Sequence, residues 1–433
     1  MKSLGIDIGT STLSAVIMEG GKVLTSETVA NGADLPSENA WEHLQDPDVI
    51  LSRVTAVARR LLDAHPDTAC IGFTGQMHGM VYLDKNGNAV SPLATWQDGR
   101  GNRPLPCGGT AAEELSALTG YPMATGYGLT THYYNLKHSL VPQEAVTFCT
   151  IHDYAAMKFA GLTSPRMDAS DAASFGLFDV QRGEFDLAAL KKAGMDASFL
   201  PPVTREAFLG VGPFGLPVYT AIGDNQASFL GSVSGRKNCI LINAGTGGQF
   251  SAHTEEYLSC AGLEARPYPA GGYLMVGSLL CGGSAYAYLE KFFRATVEAM
   301  TGEKISSCYA AMAKLAEEGL PEDAPEFVPL FRGTRQEPQK RAEITSLNPD
   351  NFTPRHLLAA LLRGMAKEYA SYASCYFAAG GKAGALIGSG NGIRKNPALV
   401  QCMEDAFGMP LEVSSREEEA ACGAALWAAG NVC

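Results

Sequence analysis

Two aspartates stand where apolar strands give way to small polar residues: Asp7 in "GIDIGTST" and Asp224 in "GDNQAS". A carboxylate inside an apolar run is costly unless it is paired, hydrogen-bonded or bound to a cation. Gly9, Thr10 and Ser11 follow Asp7 and offer amides and hydroxyls with little side-chain bulk. Two readings are open. Asp7 stabilises its own hairpin turn, or the turn cradles phosphate oxygens while Asp7 holds water on Mg2+. Asp224 also has two readings, as the N-cap of the helix that follows or as the base that takes a proton from a substrate hydroxyl. The amide side chains of Asn225 and Gln226 behind it suit a polyol.

Three more loops carry chemistry-bearing residues. "GQMHG" (75–79) sets Gln76, Met77 and His78 between two strand patterns, and a histidine so flanked is expected to face a ligand. "TWQDGR" (95–100) offers Trp96 as an apolar wall for a sugar face; its Asp98 and Arg100 equally suit a structural ion pair. The turns "GTGG" (245–248) and "GSGN" (388–391) each follow a strand pattern. GxxxxGK[ST] is absent and "GSGNGI" is not GxGxxG, so a nucleotide site must be assembled from separate loops. "GSGN" lies between a strand and a helix, where open sheets bind ligands at strand carboxyl ends.

The elements that must position these loops follow from periodicity. "LGIDIG", "LSAVIM" and "VLTSETV" read as three strands joined by turns. A helix is predicted over Pro47 to Ala64, and a long one over 351–379 with Pro354 in its first turn, where the missing amide costs least. "PVYTAIGDNQASFLGSV" reads as strand then helix, and "CILINAGTGGQFSAHT" as strand, turn, strand. "REEEAACGAALWAAG" forms a closing helix. "IDIGTSTLSAVIM" and "LINAGTGGQFSAH" both place a Gly-Thr turn between apolar strands, an echo expected of two related halves.

Composition narrows the class. The 433 residues are 46% hydrophobic and 18% charged, which suits a soluble protein of two or three domains. A net charge of −12 with no Lys/Arg run gives no support to a nucleic-acid role. The start runs directly into a strand pattern with no signal-peptide layout, and the apolar stretch "AACGAALWAAG" is too short to span a bilayer. Eleven cysteines without a CxxC pair read as reduced, cytoplasmic thiols.

The motifs "GIDIGTST", "GFTGQMHGMVYLD", "TWQDGR", "GDNQAS", "NAGTGGQ" and "GSGN…NP", in this order, resemble the FGGY family of carbohydrate kinases. "HDYAAMKFAG", "MDASDAASFGLFD", "LFRGTR" and "IGSGNGIRKNP" look closest to its sedoheptulokinase branch, with xylulokinase next. The resemblance implies an α/β fold of two ribonuclease-H-like domains, of the actin, sugar-kinase and Hsp70 type, with a central cleft. The domains are expected at 1–219 and 220–433, the last helix packing back. It implies ATP and Mg2+ as cofactors, a ketose as substrate, and a monomer or homodimer. Asp224 is then the catalytic base and Asp7 the metal residue. Gln76, Met77, His78, Trp96 and Asn225 are the sugar contacts. Gly9, Thr10, Ser11, Gly245, Thr246, Gly247, Gly388, Ser389, Gly390 and Asn391 are the nucleotide contacts. The sequence departs from the family in one place: a Lys or Arg is common at the end of the first motif, where Ser14 stands.

Overall fold

The structure, a computed structural model, describes residues 1–105, 108–269, 271–334 and 337–432. Arg335 of "LFRGTR", Cys107 and Cys433 lie outside them. The nine described cysteines are free thiols. The chain forms two compact units. The first comprises Met1–Gly235, Arg266–Gly271 and the chain from Arg416; the second comprises Arg236–Ala265 and Gly272–Ser415.

The main sheet of the first unit is built from β1 (Lys2–Ile8), β2 (Thr12–Glu19), β3 (Lys22–Ala30), β4 (Thr68–Gly75), β5 (Phe208–Val211), β6 (Pro217–Tyr219) and β7 (Ile222–Gly223). They form one sheet in the order β5-β6-β4-β1-β2-β3, with β7 also paired to β4. β1 is antiparallel to β2 and parallel to β4, and β7 is parallel to β4.

Side chains alternate across a strand, and both faces of this sheet are covered. Leu4, Ile6, Ile8, Leu13, Ala15 and Ile17 pack with Ile50, Val54 and Leu61 of helix α1 (Pro47–Ala64). That helix has the predicted limits and is capped by Asp46, whose side chain accepts from the Asp48 and Val49 amides. Val16 and Met18, pointing the other way, meet Ala421, Cys422 and Ala425. A second cluster, built around Tyr133, Phe148 and Phe175, supports the loops that follow β4.

The first unit runs past the division expected after residue 219. Helix α3 (Asp224–Val233) lies within it beyond that point, beside helix α2 (Ile151–Phe159), and the closing helix, labelled α5 below (Glu419–Gly430), packs back onto it as expected. The reason is close packing. A Cβ on Gly423 of the closing helix would lie 1.9 Å from the Ala227 carbonyl oxygen of α3, and one on Gly72 of β4 would lie 2.1 Å from that of Ala424. The alanine-rich composition thus serves a close-packed helix. No helix among the described residues is long and apolar enough to cross a membrane.

A second sheet is formed by β8 (Cys239–Ala244), β9 (Gly248–Thr254), β10 (Glu264–Pro267), β11 (Tyr273–Leu279), β12 (Ala385–Ser389) and β13 (Leu411–Val413), in the order β10-β11-β9-β8-β12-β13; all of it lies in the second unit except the last two residues of β10, Arg266 and Pro267. Helix α4 (Pro354–Ala378) contributes Leu358, Leu361 and Tyr369 to its core; α5 (Glu419–Gly430) belongs to the first unit. β8 is antiparallel to β9 and parallel to β12, which repeats the relation of β1 to β2 and β4. The echo in the sequence therefore corresponds to a repeated strand arrangement.

Candidate active site

In the first unit the two aspartates come from neighbouring strand ends. Ile8 and Gly223 both pair with Gly75 at the carboxyl end of β4, one from β1 and one from β7. Asp7 and Asp224 are the adjacent residues. Asp224 is the first residue of α3 and Gly223 takes the N-cap position, so the N-cap reading of Asp224 does not hold.

Asp7 is half-buried and accepts no hydrogen bond from a side chain among the described residues. Burial, and then the negative charge of Asp224, push its carboxyl up to about 7. A carboxylate so placed, beside the hydroxyls of the "GTST" turn, is a hard oxygen donor of the type Mg2+ takes; the residues fit that ion. Ser14 pairs with Asp7 across the sheet, and its hydroxyl is 3.0 Å from that of Thr28, which donates to Glu418 at 2.9 Å. Ser14 thus belongs to a hydroxyl network.

The turn after β1 is bound into its surroundings. Asn31 Nδ2 donates to the Gly9 carbonyl at 2.8 Å and the Asn31 amide to that of Ser11 at 2.8 Å. Thr10 Oγ1 donates to Gln76 Oε1 at 3.2 Å, and Trp96 Nε1 donates to Thr10 Oγ1 at 3.0 Å. Gln76 Nε2 in turn donates to Gln45 Oε1 at 2.9 Å. Trp96 remains 48% exposed, an open aromatic face. Its loop is held by Asp98 and Arg100, which form a buried ion pair at 2.6 Å. The structural reading of that pair is the observed one.

His78 adopts a positive φ of 73°, uncommon for a residue with a side chain. Its ring stacks on Tyr127 at 4.7 Å, and Nδ1 is 2.7 Å from the Ser174 carbonyl oxygen. A carbonyl only accepts, so Nδ1 carries the hydrogen. Met77 is buried. A Cβ on Gly223 would meet its sulfur at 3.0 Å, so the thioether packs beside the backbone that leads to Asp224.

Asp224 is half-buried, with its carboxyl raised by burial and held back by the Arg266 guanidinium and by His152. Asn225 Nδ2 donates to Asp224 Oδ1 at 2.9 Å, and Arg266 Nη1 donates to Asn225 Oδ1.

In the second unit the two glycine turns lie at the carboxyl ends of adjacent parallel strands, β8 and β12. The Gly283 amide donates to the Gly245 carbonyl at 2.7 Å and the Gly282 amide to that of Thr246 at 3.2 Å, which fixes the turn through Gly247. Asn243 Nδ2 donates to Ser389 Oγ at 2.9 Å. Gly388 and Ser389 end β12, Gly390 has φ +81°, and Asn391 opens a short helix.

Residues 3–231 match the N-terminal domain of the FGGY family of carbohydrate kinases, and residues 240–431 match its C-terminal domain. The chain belongs to the FGGY family. Its two α/β units have the actin, sugar-kinase and Hsp70 type of fold. Among its relatives, sedoheptulokinase of Mus musculus is 27% identical over 470 residues, covering 98% of this chain and 96% of that protein. The solved structure of a xylulose kinase from Rhodospirillum rubrum superposes with a TM-score of 0.84 at 22% identity, covering 100% of this chain and 90% of that one. A glycerol kinase of Plasmodium falciparum, solved with ADP, gives a TM-score of 0.80 at 18% identity, covering 99% and 89%.

Two features of this FGGY chain escape a reading of the sequence. Arg266 sits alone in "LEARPYP", 41 positions after Asn225, with no spacing to announce the contact. His152, Asp153 and Asp171 form a buried group whose ligand-type atoms lie within 4.8 Å of one another. The group is close-packed: His152 Nε2 lies 2.9 Å from Asp171 Oδ2, and Thr150 Oγ1 lies 2.8 Å from Asp153 Oδ2 and 2.9 Å from Asp171 Oδ2. "HDY" and "DASD" in the quoted motifs were the available signal.

Proposed function

We propose that this FGGY chain transfers the terminal phosphoryl group of ATP to a hydroxyl of a ketose, with a seven-carbon ketose such as sedoheptulose favoured over D-xylulose or D-ribulose. The observation that carries the reading is the juxtaposition of Asp7 and Asp224 at strand ends flanking β4. "GQMHG" with "GDNQ", and the near full-length similarity to sedoheptulokinase, support the sugar class.

Phosphoryl transfer asks a protein to position groups and stabilise charge. Asp224 accepts the proton of the attacking hydroxyl, for which it need only lie about 3 Å away. Gln76, His78, Trp96 and Asn225 orient the sugar, with Met77 as packing behind them. Gly9, Thr10 and Ser11, with Gly245, Thr246 and Gly247, take the phosphates, and Gly388 to Asn391 take the adenosine. Asp7 would hold Mg2+, which would supply positive charge to neutralise the phosphates.

The test is an ADP-release assay with Mg-ATP and a panel of ketoses. Turnover with a seven-carbon ketose is expected. No release with any sugar refutes the kinase reading, and a pentulose as best substrate refutes only the sugar. A second reading, a sugar-binding relative without turnover, draws on Ser14 opposite Asp7. Calorimetric sugar binding without phosphorylation favours it.

A further inference from the structure

We propose that Arg266 is a positioning residue for Asp224: its guanidinium holds the Asn225 side-chain oxygen, which turns the Asn225 amide so that Nδ2 grips Asp224 Oδ1. The inference rests on the reading of Asp224 as the base.

The argument begins with chemistry. A guanidinium only donates and a carboxylate only accepts, so an asparagine between them has one possible orientation. Its oxygen faces Arg266 and its nitrogen faces Asp224, as observed. Among the described residues no side-chain donor occupies Asp224 Oδ2, which leaves that oxygen to a substrate hydroxyl.

The placement of Arg266 is built into the fold. The segment Arg266–Gly271 belongs to the first unit and is pinned along α3. Gln226 Nε2, fully buried, donates to the Pro267 carbonyl at 2.9 Å, and Tyr268 meets Phe229 edge-on with ring centroids 5.9 Å apart. Two contacts from α3 thus fix the backbone immediately after the arginine.

The charge matters as well as the hydrogen bond. Asp224 faces negative groups from two other elements: Asp7 on β1 and Asp171 on the short helix Ala169–Ala172. Opposing them are His152 on α2 and Arg266. An arginine stays charged across the working pH range, so it keeps the base ionised where enclosure by protein favours the neutral acid.

The test compares Arg266→Met with Arg266→Lys in the full chain. In the methionine variant the acid limb of kcat against pH is expected to move up by about one unit, with the KM for ATP unchanged. The lysine variant is expected to restore most of that limb. Arg266→Gln carries the same expectation as methionine and serves if the methionine variant does not fold. An unmoved acid limb in the uncharged variant overturns the proposal, whatever happens to kcat. Carbon-13 NMR titration of the Asp224 carboxyl, assigned with Asp224→Asn, measures the same displacement without turnover. A wild type inactive on every sugar therefore refutes the kinase reading alone, while an unshifted Asp224 titration in the Arg266 variant refutes this one.

Discussion

The Trp96 indole donates to the Thr10 hydroxyl at 3.0 Å, and Thr10 passes its own hydrogen to Gln76 at 3.2 Å. The turn proposed for phosphates and the loops proposed for sugar are therefore one hydrogen-bonded piece. Thr10→Val removes both bonds. The KM for ATP and the KM for sugar should rise together, each by about 2- to 12-fold, the scale of one lost neutral hydrogen bond. Steady-state kinetics with each substrate varied in turn checks this, and a change confined to ATP counts against the coupling.

Asp224 is expected to matter for turnover and not for folding. Asp224→Ala should lower kcat by about 10²-fold or more, the usual scale for a general base. Its carboxyl is raised in the folded state by burial, so ionising it at neutral pH works against folding. Asp224→Asn should then melt no lower than wild type. A thermal melt beside the kinetic assay distinguishes a lost base from a damaged fold.

The strands, the helix from Pro47 to Ala64 and the closing helix were legible because burial imposes a period on the sequence. The glycine turns were legible because close backbone approach needs residues without bulk. Which residues meet across long separations was not. Gly423 against Ala227, and Arg266 against Asn225, depend on how elements dock, and no local pattern encodes that. Asp98 and Arg100 were readable as a pair only because they lie two residues apart. The closing helix was expected to pack back, and its trace in the sequence is the run of small residues that lets it lie against β4 and α3.

The buried group below the strand ends makes a stability prediction. Burial and the neighbouring Asp171 charge raise the Asp153 carboxyl well above its ordinary value. Burial also acts to raise Asp171, but the His152 ring and its hydrogen bonds bring it net below the ordinary value. Asp153 therefore enters the fold protonated, and Asp171 charged. Asp153→Asn replaces a neutral acid by a neutral amide and should cost about 1 kcal/mol or less. Asp171→Asn leaves the ring without its partner and should cost about 3 kcal/mol or more. Because the Asp171 carboxyl is lowered in the folded state, its contribution is present above the unfolded value and fades as pH falls. Urea unfolding at neutral and acidic pH measures both variants, and equal losses at neutral pH would contradict the assignment of charge.

Asp7 carries the opposite sign. Its carboxyl is pushed up to about 7, first by burial and then by Asp224. Between the unfolded value near 4 and this folded value, the native state keeps a proton that the unfolded chain has lost, so stability falls as pH rises through that window. A cation bound through Asp7 must compete with the same proton. The Mg2+ concentration needed for half-maximal rate should therefore drop on going from about pH 6 to about pH 8, as the carboxyl ionises. Asp7→Asn should weaken the use of Mg-ATP and flatten that dependence while leaving sugar affinity in place. Mg2+ titrations of the rate at both pH values, with calorimetry for the sugar, separate the two effects. A variant that loses sugar binding but keeps the Mg2+ dependence would remove Asp7 from the metal's side of the reaction.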